Sequence, residues 1–244
     1  MLKKILLVSL ACILVAYIAF AIAFMNPKTD VGKECTNMKV EVACNSEKIY
    51  LNEAQILSYL KKANLDPVGK NLSEVRIEPI ENALKRNKLI KKTKVYKTID
   101  GSVKVEVFQR IPILRVMSDK GDYYLDNEGE IMPVPSNFSA YVPIATGNIS
   151  EEYAKTQLYE FALFLQKNKF WNSQIEQVHI TANKDVELVP RVGGHYVILG
   201  KIENYRENLD KLKLFYDKGL NKVGWSRYSI INLKFKDQVV CTKK

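Results

Sequence analysis

The sequence predicts an α+β protein with a single N-terminal transmembrane helix, a small βααββ domain and a β-rich domain with flanking helices. Three observations lead to this fold class. Residues 5–24 form an uncharged apolar stretch. Residues 37–109 combine two helical patterns with three strand patterns, and residues 110–240 consist mainly of short alternating strands and two longer helices. A chain of 244 residues is long enough for two small domains beyond such an anchor.

The apolar stretch at residues 5–24 is expected to span a membrane. A helix rises about 1.5 Å per residue, so this stretch reaches about 30 Å, the thickness of a hydrocarbon core. Lys3 and Lys4 lie on its N-terminal side. The positive-inside rule therefore places residues 1–4 in the cytoplasm and the remainder of the chain outside.

A cleaved signal peptide is the alternative interpretation of this stretch. Residues 19–21 and 21–23 both have the small-x-small pattern of a cleavage site. The apolar run is longer than the ~7–15 residues typical of a signal peptide, which favours an uncleaved anchor. Residues 25–36 contain Pro27 and Gly32 without an apolar period and are predicted to be a linker.

The first domain is predicted at residues 37–109 and begins with an alternating strand at 38–42. Its first helix is expected to follow Asn52, because Gln55 stands at the spacing of a capping box. A second helix is expected near Pro79, a residue that a first helical turn tolerates. A hairpin completes the domain, with one strand before and one strand after the turn Asp100-Gly101.

The second domain is predicted at residues 110–240, and residues 241–244 are assigned to a tail. A proline-containing loop is expected at 133–148, a helix after the cap Ser150, and another helix at 202–218. Two strands are predicted before the loop, at 111–117 and 123–126, and three between the two helices, at 175–181, 186–190 and 196–199.

The last predicted strand has the clearest alternation in the chain. Ile231, Leu233 and Phe235 are apolar, whereas the residues between and after them are polar. We expect the three apolar side chains to point into the core and the others to point to solvent.

The net charge of +10 favours anionic partners. Lys3 and Lys4 account for two of these charges, so the exported part carries +8. Outside the membrane, lipid headgroups, cell-wall polymers or an acidic protein are better candidates than nucleic acid. The densest basic stretch, residues 85–94, is interpreted as a solvated helix end and strand start, and membrane contact there stays open.

Neither cysteines nor histidines indicate a disulfide scaffold, a metal site or a cofactor site. Three exported cysteines cannot all pair within one chain. The two histidines, His179 and His195, lack metal-ligand spacing and are expected to be structural or superficial. No nucleophile elbow or phosphate loop occurs, so we predict that the protein is not an enzyme. A cell-wall hydrolase with two carboxylates in a cleft remains an alternative.

The order of these features resembles the FtsQ/DivIB cell-division proteins. Residues 68–116 are similar to the POTRA domain of that family and to the junction that follows it. The turn-rich motif Tyr124-x-Asp126-x-x-Gly129 resembles the opening hairpin of its β-domain, and residues 228–235 resemble its final strand.

The resemblance implies a divisome scaffold in the cytoplasmic (inner) membrane at the division septum. It implies binding to FtsB-like and FtsL-like proteins by β-augmentation of the last strand, control of septal peptidoglycan synthesis, and further divisome contacts through the POTRA domain. Under this hypothesis, Gln238→Pro would remove a backbone amide that donates to the partner strand, and would weaken binding. Another anchored POTRA protein, acting in assembly of exported proteins, is the alternative. The implied partner-binding residues, with a contribution from the helix at 202–218, are Phe235, Lys236, Asp237, Gln238 and Val239.

Overall fold

A computed structural model describes residues 2–25, 32–43, 50–136 and 138–244. Half of the predicted linker, residues 26–31, together with Met1 and Cys44, lies outside the described residues. The chain divides into two compact units. The first contains the described residues up to 43 together with 52–86 and 92–107, and the second contains the remaining described residues.

The first helix, α1, spans Leu2–Met25 and includes the apolar stretch at residues 5–24. Its described side chains from Ser9 to Phe20 are exposed. Within the part of the chain that the structure describes, no helix meets the length and apolarity required to cross a membrane. The membrane span stays a prediction.

The first unit contains a three-stranded sheet and two short helices. The elements in chain order are β1 (Asn37–Ala43), α2 (Glu53–Lys62), α3 (Ile77–Lys85), β2 (Ile90–Lys97) and β3 (Ser102–Gln109). The sheet order is β1-β3-β2, with the last strand in the centre. The predicted βααββ order is therefore present.

Local sequence signals determine where the elements of this unit begin and turn. Asn52 caps α2 through its side chain, which accepts a hydrogen bond from the Gln55 backbone at 2.9 Å, and the Gln55 side chain accepts from Asn52 at 3.0 Å. This is the predicted capping box. Gly101 has a φ of +85°, a left-handed conformation that favours glycine in the turn between β2 and β3. The buried faces of the strands and helices then meet in one core, which includes Met38, Val40, Ile56, Leu60, Ile80, Leu84, Val103, Val105 and Val107.

The second unit contains a nine-stranded mixed sheet with helices. Its first half comprises β4 (Pro112–Ser118), β5 (Gly121–Asp126), β6 (Ile131–Pro133), β7 (Ile144–Gly147), α4 (Glu151–Tyr153), a π turn (Ala154–Leu158), α5 (Tyr159–Lys167) and α6 (Lys169–Gln174). Its second half comprises β8 (Ile175–Ile180), β9 (Asp185–Pro190), β10 (Tyr196–Lys201), a 3₁₀ turn (Ile202–Asn204), α7 (Tyr205–Phe215), a π turn (Tyr216–Leu220), α8 (Asn221–Val223), β11 (Tyr228–Asn232) and β12 (Val240–Lys243).

The strand order of this sheet is β12-β11-β10-β9-β8-β7-β4-β5-β6. One row of side chains crosses eight of the nine strands in register, from β5 to β12. The six central members of this row and the helical side chains Phe161, Leu209 and Trp171 belong to one buried cluster, and Tyr123 and Cys241 pack against it. Helix packing therefore covers one face of the sheet. The row comprises Tyr123, Val116, Ala145, Val178, Leu188, Val197, Ile231 and Cys241.

Three predictions for the second unit are wrong. The expected loop at 133–148 contains β7, which pairs in parallel with both β4 and β8. The expected tail at 241–244 contains most of β12. The last strand was expected to place Phe235 in the core, but β11 ends at Asn232 and Phe235 is 49% exposed. β7 and β12 have four residues each, too few for alternation to distinguish a strand from a loop. Beyond Asn232, the buried side of the alternating pattern continues only to Leu233.

Candidate partner-binding edge

All five predicted partner-binding residues lie together in the turn between β11 and β12. Phe235, Lys236, Asp237 and Gln238 are exposed, and Val239 is half-buried. Asp237 has a φ of +55°, a left-handed conformation that Asp tolerates better than most residues and that reverses the chain. The turn presents these side chains on the surface of the second unit.

The edge of the sheet is β12, one strand later than the sequence suggested. β11 is an interior strand, because it pairs in parallel with β10 and antiparallel with β12. β12 ends the sheet, and no other described strand pairs with its outer side. Gln238 lies outside β12, so the prediction that proline there removes a ladder donor is wrong.

The outward groups of β12 follow from one hydrogen bond. The Lys244 amide donates to the Arg227 carbonyl at 3.2 Å, so it points toward the chain that leads into β11. Backbone amides alternate in direction along a strand, because successive residues face opposite sides. The amides of Cys241 and Lys243 and the Cys241 carbonyl therefore point to the outer edge, whereas the Lys243 carbonyl accepts a hydrogen bond from Ser229 Oγ at 3.4 Å. These groups form a short template for another strand.

A groove of about 490 Å³ lies beside the turn, between α7 with its π turn and residues 237–239. Leu214 and Phe215 give it an apolar wall. Gly219 forms part of the lining, and a Cβ at this position would lie 2.8 Å from the Phe215 ring. The Phe215 ring in turn lies 6.0 Å from the Tyr228 ring on β11. The other lining residues are Lys211, Lys218, Asp237, Gln238 and Val239.

Lys211 connects the helix to the start of the turn. Its Nζ atom donates to the Leu233 carbonyl at 3.2 Å and to the Phe235 carbonyl at 3.1 Å. The Leu233 amide donates to the Ile198 carbonyl at 2.9 Å, which extends the pairing with β10 past the end of β11. The chain therefore enters the turn from a fixed position.

A charged cluster holds the same segment against β9 and β10. Lys234 Nζ lies 2.7 Å from one Asp185 carboxylate oxygen, and Lys201 Nζ lies 3.0 Å from the other. Hydrogen bonds from Lys234 and then from Lys201 lower the pKa of the Asp185 carboxyl group. A Cβ at Gly200, where φ is +89°, would lie 3.0 Å from Lys234 Cγ, so Lys234 packs closely over this glycine.

The other candidate residues are the two histidines and the described cysteines. His179 Nδ1 lies 3.0 Å from Thr146 Oγ1, and His195 Nε2 lies 3.0 Å from Tyr216 Oη, in agreement with the structural role expected for both histidines. The described cysteines Cys12, Cys35 and Cys241 are free thiols. Within the described ranges, no three His, Cys, Asp or Glu side chains come close enough together to hold a metal ion.

The hydrolase alternative gains no support from carboxyl groups. A raised carboxyl pKa would indicate a general acid. The described carboxyl groups with a clearly shifted pKa are all shifted downward, by hydrogen bonds from neighbouring hydroxyl groups or basic side chains. These groups are Asp100, Glu106, Asp122 and Asp185.

The basic stretch at residues 85–94 is partly neutralised by ion pairs. Lys85 lies 3.5 Å from Glu81, and Lys91 lies 2.7 Å from Glu128. Lys94 is 3.8 Å from Glu106. The basic residues of this stretch are exposed, as expected for a solvated helix end and strand start.

The sequence implied that residues 235–239 belong to the last strand, whereas they form a turn, and it missed β12 and most of the groove. Val239, Val240 and Thr242 are β-branched residues that follow a turn, and this was an available signal for a strand. Helix 202–218 was expected to contribute, and α7 and its π turn supply Lys211, Leu214, Phe215 and Lys218 to the groove. The closeness of these helical residues to the turn depends on tertiary packing.

Two family models match the chain. Residues 33–108 match a POTRA-like domain. Residues 111–242, more than half of the chain, match the family described as FtsQ/DivIB, C-terminal related. No curated protein sequence matches the chain.

Proposed function

This chain belongs to the FtsQ/DivIB family of cell-division proteins, and from that premise we propose that it binds FtsB-like and FtsL-like proteins outside the cytoplasmic membrane. The family consists of non-enzymatic division scaffolds that interact with other divisome proteins. Binding would place these partners at the septum and help control peptidoglycan synthesis there.

The observation that carries the proposal is the free edge of β12 beside an apolar groove. The outward amides of Cys241 and Lys243 and the outward Cys241 carbonyl on that edge can pair with an added strand by β-augmentation. The exposed Val240 and Phe235 lie at the start of the strand and in the adjoining turn. Main-chain pairing would supply affinity, and the groove would select the side chains of the partner.

The charges around the groove define the chemistry of the partner strand. Lys211 and Lys218 line the groove, whereas Asp237 is its one acidic lining residue. Lys236 in the turn and Lys243 on β12 are also exposed. A partner segment with acidic residues next to a large apolar residue would complement this surface.

The apolar sequence of residues 5–24 supports a membrane anchor that keeps this edge near partners in the same membrane. Family membership supports association with the membrane at the division site. Alkaline extraction of cell membranes tests the anchor. Retention of the complete chain is expected, and its full release would contradict the anchor.

The proposed site is tested by binding of the complete chain, in mild detergent, to the exported parts of the cell's own FtsB-like and FtsL-like proteins. Lys243→Pro removes an outward amide and is expected to weaken binding at least about tenfold, through loss of one ladder bond and distortion of the added pairing. Lys243→Ala is the matched control, because it removes the charge and keeps the amide.

Phe235→Asp tests the apolar contribution of the turn. It is expected to abolish capture, whereas Ile99→Asp, at a 94% exposed apolar residue of the first unit, should leave capture unchanged. Equal binding by all four variants and the parent chain would refute the site. No binding by the parent chain would refute the partner assignment.

A further inference from the structure

A buried histidine lies in the same unit as the proposed binding edge. His195 is 5% exposed and follows the turn Gly193-Gly194 that leads into β10. Its Nε2 atom is hydrogen-bonded to Tyr216 in the π turn after α7, and its ring packs 6.4 Å from the Trp225 ring. Its Nδ1 atom has no hydrogen-bond partner among the described residues. A second proton on this ring would therefore have no acceptor.

Lys244 connects this histidine to β12. The Lys244 amide continues the pairing of β12 through its bond to Arg227. The Lys244 side chain lies over Gly194, where a Cβ would be 2.6 Å from Nζ. A Cβ at Gly193 would be 2.7 Å from the His195 ring. Because neither glycine has a side chain, the Lys244 side chain fits beside Gly194 and the His195 ring fits beside Gly193.

The electrostatic surroundings favour neutral His195. Burial, and then the positive charge of Lys244, lower the pKa of this imidazole. The other titratable group in contact is Tyr216, which stays neutral because burial raises the pKa of its hydroxyl group. Trp225, whose ring also packs near His195, carries no charge. No described carboxylate contacts the ring to offset a protonated imidazole.

We propose that His195 and Lys244 form a proton-sensitive latch that regulates β12 as a binding edge. Neutral His195 allows Lys244 and the end of β12 to stay against the sheet. Protonated His195 repels Lys244, and movement of that side chain releases the end of the strand. The consequence for partner affinity rests on the proposed function, whereas the opening of the strand does not.

The direction of the pH dependence follows from linkage. The folded-state pKa lies below the ordinary value of about 6.5, so the stability of the closed latch is fully present above that pH. It is lost as the pH falls below 6.5 toward the folded-state pKa. One proton changes an equilibrium constant by at most about tenfold per pH unit.

The latch is tested first without a partner. Ring signals of the two histidines are followed by NMR in the complete chain from about pH 8 to about pH 4.5, with amide-exchange protection of residues 240–244 corrected for intrinsic rates. We expect protection to fall together with the His195 titration. His179→Gln, the matched control, should leave this coupling unchanged. Constant protection throughout the His195 titration would overturn the latch.

Lys244→Gln distinguishes a latch from a merely buried histidine. It removes the repelling charge at an exposed position, so the His195 titration midpoint should rise and the pH dependence of protection should weaken. An unchanged midpoint would show that Lys244 does not act on His195 and would overturn the proposal.

Partner binding is then measured over the same pH range. The dissociation constant for the FtsB-like probe is expected to rise about threefold to tenfold between about pH 7.5 and about pH 5.5, and less in Lys244→Gln. If the strand opens but the probe binds equally at every pH, the regulatory link is refuted. If the strand opens and the probe never binds, the latch stands and the proposed function falls.

Discussion

The two ends of the nine-stranded sheet are finished in different ways. At one end, β5 and β6 are closed by a buried carboxylate: Asp126 is fully buried and accepts hydrogen bonds from Arg110 at 2.6 Å and from the Glu128 and Glu130 amides at 2.8 Å. At the other end, β12 has an open backbone edge. Its neighbouring turn is held by the lysines Lys211 and Lys234.

Under the proposed function, this difference separates the end of the sheet that stabilises the fold from the end that binds a partner. A buried ion pair that loses one partner leaves an uncompensated charge, so the β6 end tolerates little change. An exposed lysine contact contributes little to folding, so substitutions at the β12 end should cost little stability. The short β6 also ends in Pro133, which has no amide to donate and helps to keep that edge from pairing.

The largest effect is expected from Asp126→Ala. It would leave Arg110 without its partner and two amides without their acceptor, and should lower the free energy of unfolding by about 3–5 kcal/mol. Urea denaturation measures this loss, and Asp126→Asn, which keeps an oxygen acceptor, should lose less. A loss below about 1 kcal/mol would show that the β6 end is not closed by this carboxylate.

A smaller effect is expected from Tyr124→Phe at the same end. The buried Tyr124 hydroxyl accepts a hydrogen bond from the Ala140 amide at 3.1 Å. Its removal should lower the free energy of unfolding by about 0.5–1.5 kcal/mol, while the ring continues to fill its place in the core. Partner binding at β12 should be unchanged, and a parallel loss of binding would break the proposed separation of the two ends.

The smallest effect is expected from Asp185→Asn at the β12 end. Lys234 and Lys201 lower the pKa of the Asp185 carboxyl group, so its contribution is present at neutral pH and is lost as the pH falls through that lowered value. The variant should lose about 1 kcal/mol or less at pH 7. Denaturation at neutral and acidic pH measures this, and the parent and variant should converge below the lowered pKa. A constant difference at all pH values would contradict the ion-pair interpretation.

Much of the first unit could be predicted because its signals are local. The capping box of Asn52 and Gln55, the Asp100-Gly101 turn and the order βααββ are all present in the structure. Each depends on residues within a few positions of one another. The family resemblance, drawn from the order of such motifs, is confirmed by the family matches.

The candidate site could be predicted only in part. The five implied binding residues lie together in one turn and not in a strand, and most of the strand with the free edge was assigned to a tail. The groove needs Leu214 and Phe215 of one element beside Val239 of another. Nothing in the spacing of these residues indicates that they meet, because their contact depends on how α7 packs on the sheet.

The sequence by itself determined the α+β class, most helices and strands, and the buried side of most strands, because periodicity depends only on neighbouring residues. The tertiary structure decided that β7 lies inside the sheet, that β11 is interior and that β12 is the edge. It also brought Lys244 beside His195. These outcomes depend on strand pairing and packing between residues far apart in the chain, which local alternation does not specify.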